Sequence, residues 1–137
     1  MHNKKEKGDL GVAQTIAELV SQGWRPCVPL SEHQSYDLIA EKNGKMLRVQ
    51  VRYTSPRDEI LPIKLASCWS DKHGAHVQKR KQEDFEVLAI YKKKKKKCYF
   101  ILSSVFTNER QINLRLSPSK NNQKLRVRMA DDYLILN

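Results

Sequence analysis

Cysteine is scarce in this chain and odd in number. Cys27, Cys68 and Cys98 are the only three among 137 residues, and they show no framework spacing, which excludes a small secreted domain stapled by disulfides. Long apolar runs are also missing. None approaches the roughly 18–20 residues that a bilayer-spanning helix needs. The opening M-H-N-K-K-E-K-G-D has no apolar stretch behind its charges, so no signal peptide is expected. These absences predict a cytoplasmic, soluble chain with no membrane partner. No G-x-x-x-x-G-K, G-x-S-x-G or H-E-x-x-H pattern occurs, which leaves NTPase, α/β-hydrolase and zincin chemistry without support. There is no internal repeat, and acidic residues are in short supply.

What is present is positive charge. The 26 Lys and Arg against 15 Asp and Glu give a formal net charge of +11. Fold stability does not require such a bias; a polyanionic partner does, and nucleic acid is the commonest one. A charge that serves only solubility is the plainer alternative. At this length one domain, residues 1–137, is expected to build its core without disulfides.

The most informative stretch is Ser35–Thr54, S-Y-D-L-I-A-E-K-N-G-K-M-L-R-V-Q-V-R-Y-T. Two alternating segments flank Asn43-Gly44, the dipeptide preferred by a type I′ hairpin turn, which needs positive φ at both central residues. Counting outward from a two-residue loop opposes Lys42 to Lys45, Ala40 to Leu47, Leu38 to Val49 and Asp37 to Gln50. One face then carries Tyr36, Leu38, Ala40, Leu47, Val49 and Val51, which is coherent as a buried face. The other carries Asp37, Gln50 and Arg52. Opposed residues have Cβ atoms roughly 5 Å apart, so Asp37 and Gln50 are within reach of one ligand. A one-residue slip would put the charges into the core.

Elsewhere the pattern predicts a helix over Asp9–Gln22, with Asp9 as N-cap and Gly23 at C′, after a frayed segment 1–8. Trp24–Leu30 reads as an edge strand, since Pro26 and Pro29 remove backbone donors. Residues 55–84, broken by Pro56 and Pro62, read as irregular structure with a helical turn near Gln78–Asp84, and a stretch of that length is often functional. Phe85–Tyr91 and Cys98–Phe106 read as strands joined by the loop Lys92–Lys97. Ile112–Leu116 and Leu125–Met129 read as shorter strands around a polar loop, and Ala130–Asn137 as a last helical turn or strand. The order implies an α/β domain: a mixed β-sheet with an N-terminal helix and flanking helical or irregular segments.

Three constellations carry candidate chemistry. Asp37, Gln50 and the Val51 carbonyl offer oxygen donors of the kind a hard divalent cation takes, and Arg52 points to the same side as Gln50, where it can meet a phosphate. An ordinary polar, solvent-facing strand surface has the same residue types. The lysine run, with Lys93, Lys94 and Lys95 at its tip, suits the DNA backbone, and Arg115, Arg126 and Arg128 add charge near the C-terminal strands; a solvated loop is the plainer reading. Cys68, His73 and His76 lack a fourth ligand and a recognisable zinc spacing.

K-G-D-L-G opening a helix, then P-L-S-E-H-x-x-Y-D-L-I, then N-G-K-x-x-R-V-Q-V-R-Y, together resemble the PD-(D/E)XK nuclease superfamily. Within it the chain is most similar to the small endonucleases associated with group I introns, and more distantly to archaeal Holliday-junction resolvases. The match covers roughly residues 8–54. The resemblance implies a restriction-endonuclease-like fold and a metal-dependent endonuclease cutting double-stranded DNA, with Mg²⁺ or Mn²⁺ as cofactor. Catalytic roles fall to Asp37, Gln50 and Arg52, and metal binding to Asp37, Gln50 and Val51. Cutting two strands implies a homodimer or homotetramer. A resolvase or a catalytically inactive nucleic-acid-binding module is the alternative. Two positions depart from the pattern. Residue 52 is Arg where Lys is usual, and arginine cannot act as a base. Gly11 is followed by Val12 where relatives carry Glu, which leaves Asp9 as the nearest acidic substitute, with Glu18 further along.

Overall fold

In the computed structural model, helix α1 (Lys4–Ser21) precedes ten strands: β1 (Arg25–Cys27), β2 (Leu38–Lys42), β3 (Lys45–Thr54), β4 (Ile60–Lys64), β5 (Ala66–Asp71), β6 (Gly74–Lys79), β7 (Val87–Lys92), β8 (Lys97–Leu102), β9 (Gln111–Arg115) and β10 (Arg128–Met129). Residues 3–31, 34–71, 73–79, 84–92, 94–105, 111–118 and 127–137 are described. Among them, no helix is long and apolar enough to cross a membrane.

The helix starts earlier than the apolar spacing implies. Asn3 accepts from the Glu6 backbone N–H at 2.9 Å, and Glu6 accepts from the Asn3 N–H at 3.0 Å. This reciprocal capping box satisfies first-turn donors more than a turn before Asp9. Residues 4–8 are therefore helical rather than frayed, and Asp9 is not the N-cap. At the other end, Gly23 takes φ +88° directly after the C-cap Gln22, as expected. The C-terminal tail docks there: Trp24 Nε1 donates to the Leu136 carbonyl at 3.2 Å and Gln22 Nε2 to the Leu134 carbonyl at 2.9 Å.

A five-stranded sheet runs β1-β2-β3-β7-β8, antiparallel except for the parallel β3–β7 pair. A three-stranded sheet, β10-β9-β4, covers part of one face, and β5–β6 forms a separate hairpin. The parity of β3 and β7 sorts the core. Val49, Ala89, Tyr91 and Phe100 pack with Leu19 on the helix side. Leu88, Ile90, Tyr99 and Ile101 pack with Leu61, Ile63, Ile112 and Leu114 on the other. The large sheet is thus covered on both faces, as a parallel pair at its centre demands. The crossing of α1 over β3 is close. A Cβ added at Gly11 would lie 3.3 Å from Val51 Cγ1.

The hairpin register is as counted: Leu38 pairs with Val49, Ala40 with Leu47 and Lys42 with Lys45. Asn43 and Gly44 take φ +52° and +82°. The alternation fails only at its start. Residues 35–37 bend, β2 begins at Leu38, and Tyr36 packs against the cluster on the far face instead of joining Leu38.

The larger correction concerns residues 55–84, which are mostly strand. Pro62 lies within β4, an edge strand, where a missing N–H costs no ladder bond on the open side. Gln78 and Lys79 end β6, while 80–83 fall outside the described residues. β1 is an edge strand, as its prolines imply. Downstream, β7 and β8 pair across the lysine run, although Lys92 still belongs to β7 and Lys97 already to β8. Of the expected strand Leu125–Met129, Arg128–Met129 is seen, and Ala130–Tyr133 forms a 3-10 turn.

Candidate active site

The site is built on the second half of β3. Arg48 turns its N–H and C=O to the β7 side: the N–H donates to Glu86 Oε2 at 3.0 Å and the C=O accepts from the Glu86 N–H at 3.0 Å. Peptide direction alternates along a strand, so the groups of Val49 and Val51 address β2. There Asp37 meets both. Its backbone N–H donates to the Val49 carbonyl at 2.9 Å, and its Oδ2 accepts from the Val51 N–H at 2.7 Å. These two bonds bracket Gln50 and fix the Asp37 carboxylate against β3, while the bend at 35–37 leaves the side chain exposed.

Three oxygen groups belong to this stretch of β3 and the bend that meets it. One oxygen of the Asp37 carboxylate holds the Val51 N–H, leaving Oδ1. The Val51 carbonyl points to the same side as its N–H, where β2 has already stopped. Gln50 Oε1 is buried and has no hydrogen-bond partner, an expensive state for an acceptor. An orphaned amide oxygen on the strand that pins a carboxylate, one residue before an open carbonyl, suits a hard divalent cation that keeps several waters. Among the described residues, no group of three or more His, Cys, Asp or Glu has metal-ligand geometry, so a cation here would rely on the amide and the carbonyl.

Arg52 shares the parity of Gln50. Its Nε is buried, and it lines a cleft of about 570 Å³ between the end of β3 and the β4–β9 edge. Asp9 is an exposed mid-helix residue. Val12, at the position of the family acid, packs against the helix-side core and so completes packing instead of supplying a ligand.

The remaining candidates are spread out. Lys94 is exposed on a 3-10 turn at the end of the sheet where β3 finishes, Thr54 pairing with Lys92. Across β9–β10 Arg115 pairs with Met129 and Arg128 with Leu114, and Arg115 Nε donates to the Ser117 carbonyl at 3.0 Å. Lys93, Arg126 and the side chains of Lys95, Cys68 and His76 lie outside the described residues, while His73 is exposed.

One pair went unnoticed in the sequence. Arg48 Nε sits 2.8 Å from Glu86 Oε2 and 3.1 Å from Oε1. Burial pushes the Glu86 carboxyl up, but side-chain and backbone bonds from Arg48 outweigh it and hold the pKa below its usual range. The same hydrogen bond raises the Arg48 guanidinium. The clamp closes the start of β7 against β3, next to Gln50. The residues are 38 positions apart, and only the parallel β3–β7 pairing brings them together.

A carboxylate pinned at a bend, a hairpin, and an amide two residues before a cation on the next strand follow the order of the motif that the sequence resembles. The sequence pattern of the PD-(D/E)XK endonuclease family matches residues 2–136, and the chain belongs to that family. It is an endonuclease of a family that acts on DNA and generally uses divalent metal ions. The fold is similar to that of a solved bacterial homing endonuclease, I-Ssp6803I, with a TM-score of 0.79 at 21% sequence identity, covering 96% of this chain and 88% of that one. No curated protein sequence matches the chain.

Proposed function

We propose that the chain is a Mg²⁺-dependent, site-specific homing endonuclease that hydrolyses phosphodiester bonds in double-stranded DNA, with Asp37, Gln50 and Arg52 at the reaction centre. The observation that carries this reading is the buried, unsatisfied Oε1 of Gln50 on the strand whose next N–H, that of Val51, pins the Asp37 carboxylate. Asp37, Gln50 and the Val51 carbonyl would hold the ion, Mn²⁺ being an acceptable substitute. Bound there, the ion supplies Lewis-acid polarisation of the phosphoryl oxygen and a lowered pKa for water.

The protein's own groups do the rest. The Val51 N–H fixes the carboxylate, so ligand geometry is set before substrate arrives. Arg52, permanently charged, stabilises the negative charge that builds on the phosphorane oxygens but does not take the proton from water. That proton passes to solvent or to a phosphate oxygen. Lys94 and its neighbours Lys93 and Lys95, with Arg115, Arg126 and Arg128, add backbone attraction that raises the encounter rate. Two cuts in a duplex call for two copies, a homodimer or homotetramer reading a pseudo-palindromic site.

The test sets linear duplex and four-way-junction DNA against the wild type and Asp37→Ala, with Mg²⁺, Mn²⁺ or EDTA. Metal-dependent cleavage of linear DNA at a defined site, lost in Asp37→Ala, supports the reading. Preference for junctions regardless of sequence would make it a resolvase, and salt-sensitive binding without cleavage in any metal would make it a binding module.

A further inference from the structure

The cleft beyond Arg52 is chemically one-sided. Its lining includes the cations Arg52, Arg57 and Lys64 and the hydroxyls of Thr54 and Ser55, and none of the described residues that line it is acidic. Across Pro56, which lines both, lies a second cleft of about 270 Å³ where three lysines face Asp58, Glu59 and Asp131. There the formal charges cancel, and Lys97 Nζ stands 3.8 Å from Asp131. Arg57 and Lys64 have no ion-pair partner among the described residues. Both are exposed, so their charge is available to a ligand. A chain with a surplus of 11 cations has many places to be positive. Few combine concavity, freedom from acids and continuity with a reaction centre.

We propose that this acid-free cleft holds the sugar-phosphate backbone of the strand being cut, with Arg57 and Lys64 taking phosphates adjacent to the scissile one. The proposal rests on the nuclease reading and adds a direction to it: the strand passes from Asp37 along β3, over Arg52, and out between β3 and the β4–β9 edge. The charge-balanced cleft on the other side of Pro56 offers it no net attraction, because three carboxylates offset its three lysines. Contacts of this type carry no sequence information; they position the scissile group so that the ion and Arg52 can act on it.

Salt dependence tests it without knowledge of the target site. Each phosphate contact contributes about 0.9 to the slope of log affinity against log salt, hence about eightfold in affinity at about 0.1 M salt relative to 1 M. Binding of a short fluorescent duplex of arbitrary sequence is titrated in EDTA for the wild type, Arg57→Ala, Lys64→Ala, the double variant and Arg25→Ala. Arg25 is an exposed cation on β1, an edge strand of the large sheet that does not line the cleft, and serves as the control. Arg57→Ala and Lys64→Ala should each lower the slope by about 1, and the double variant by about 2, while Arg25→Ala leaves it unchanged. Melting curves verify that these surface variants fold. An unchanged slope in the cleft variants overturns the proposal, as does an equal fall in Arg25→Ala, which would reveal a diffuse charge effect. A lowered slope with no cleavage in any metal would refute the nuclease reading and keep the cleft as a DNA tract; intact cleavage with an unchanged slope would do the reverse.

Discussion

Gln50→Met separates the metal reading from ordinary packing, because the two make opposite demands on one atom. The glutamine oxygen is buried and unbonded, and leaving an acceptor in that state costs about 1–3 kcal/mol. Methionine has nearly the same length and no acceptor, and it adapts to irregular space beside apolar neighbours such as Leu88, which pairs with Gln50 across β3–β7. In EDTA the variant should therefore be more stable than the wild type by about 1–3 kcal/mol. For a chain of this size that is a rise in Tm of about 3–10 °C. Adding Mg²⁺ should close or reverse the gap. A ligand at a hundred times its Kd stabilises the native state by about 2.7 kcal/mol; the wild type should gain this, and Gln50→Met very little. Melting curves by circular dichroism, with Mg²⁺ and with EDTA, give all four values. If Gln50→Met melts lower than the wild type in EDTA, the oxygen is not the liability described. If both proteins gain equally from Mg²⁺, the ion binds elsewhere.

Three further outcomes follow from the same geometry. Arg52→Lys supplies a side chain able to lose a proton, so cleavage should rise by about tenfold or more and acquire a dependence on increasing pH that the wild type lacks; initial rates across pH check this. Glu86→Gln should cost no more than about 0.5 kcal/mol at pH 7, since both partners are more than a third exposed and solvent screens them. Because Glu86 titrates below its usual 4.5, that stability is present above about pH 4.5 and is lost as pH falls through the folded value, so urea midpoints of wild type and variant should converge in acid. The Cys98 thiol, pushed up to about 11 by burial, should stay unlabelled by iodoacetamide at pH 8 while exposed Cys27 reacts; mass mapping of the labelled protein would refute this if Cys98 carried the adduct first.

The residues at the site were legible because they lie on a hairpin whose register follows from Asn43-Gly44 and strict alternation. Apolar content alone marked β7 and β8. What could not be read were features set by partners distant in sequence. Pro62 looked like a break because the sequence does not say that β4 ends up at an edge. Glu86, inside the predicted strand Phe85–Tyr91, went unmarked because its partner, Arg48, comes from β3 through a parallel pairing that leaves no local signature. The first turn of α1 was missed for a different reason. Lys4, Lys5 and Lys7 obscured an apolar period, while the signal that mattered was Asn3 three residues before Glu6. Arg57 and Lys64 had no distinguishing mark at all; their meaning comes from which other side chains are absent around them.

β2 begins only at Leu38, opposite Val49, yet β3 continues past that point to Thr54. The inequality leaves Val51 without a strand partner on the β2 side and admits the Asp37 side chain in its place. The opening is therefore made by missing pairing as much as by any residue that lines it. Straightening the bend at 35–37 would let the ladder run on past Leu38 and close over Val51. Such a change would silence the enzyme with Asp37, Gln50 and Arg52 all intact, so an inspection of side chains alone would pass a dead nuclease as a live one.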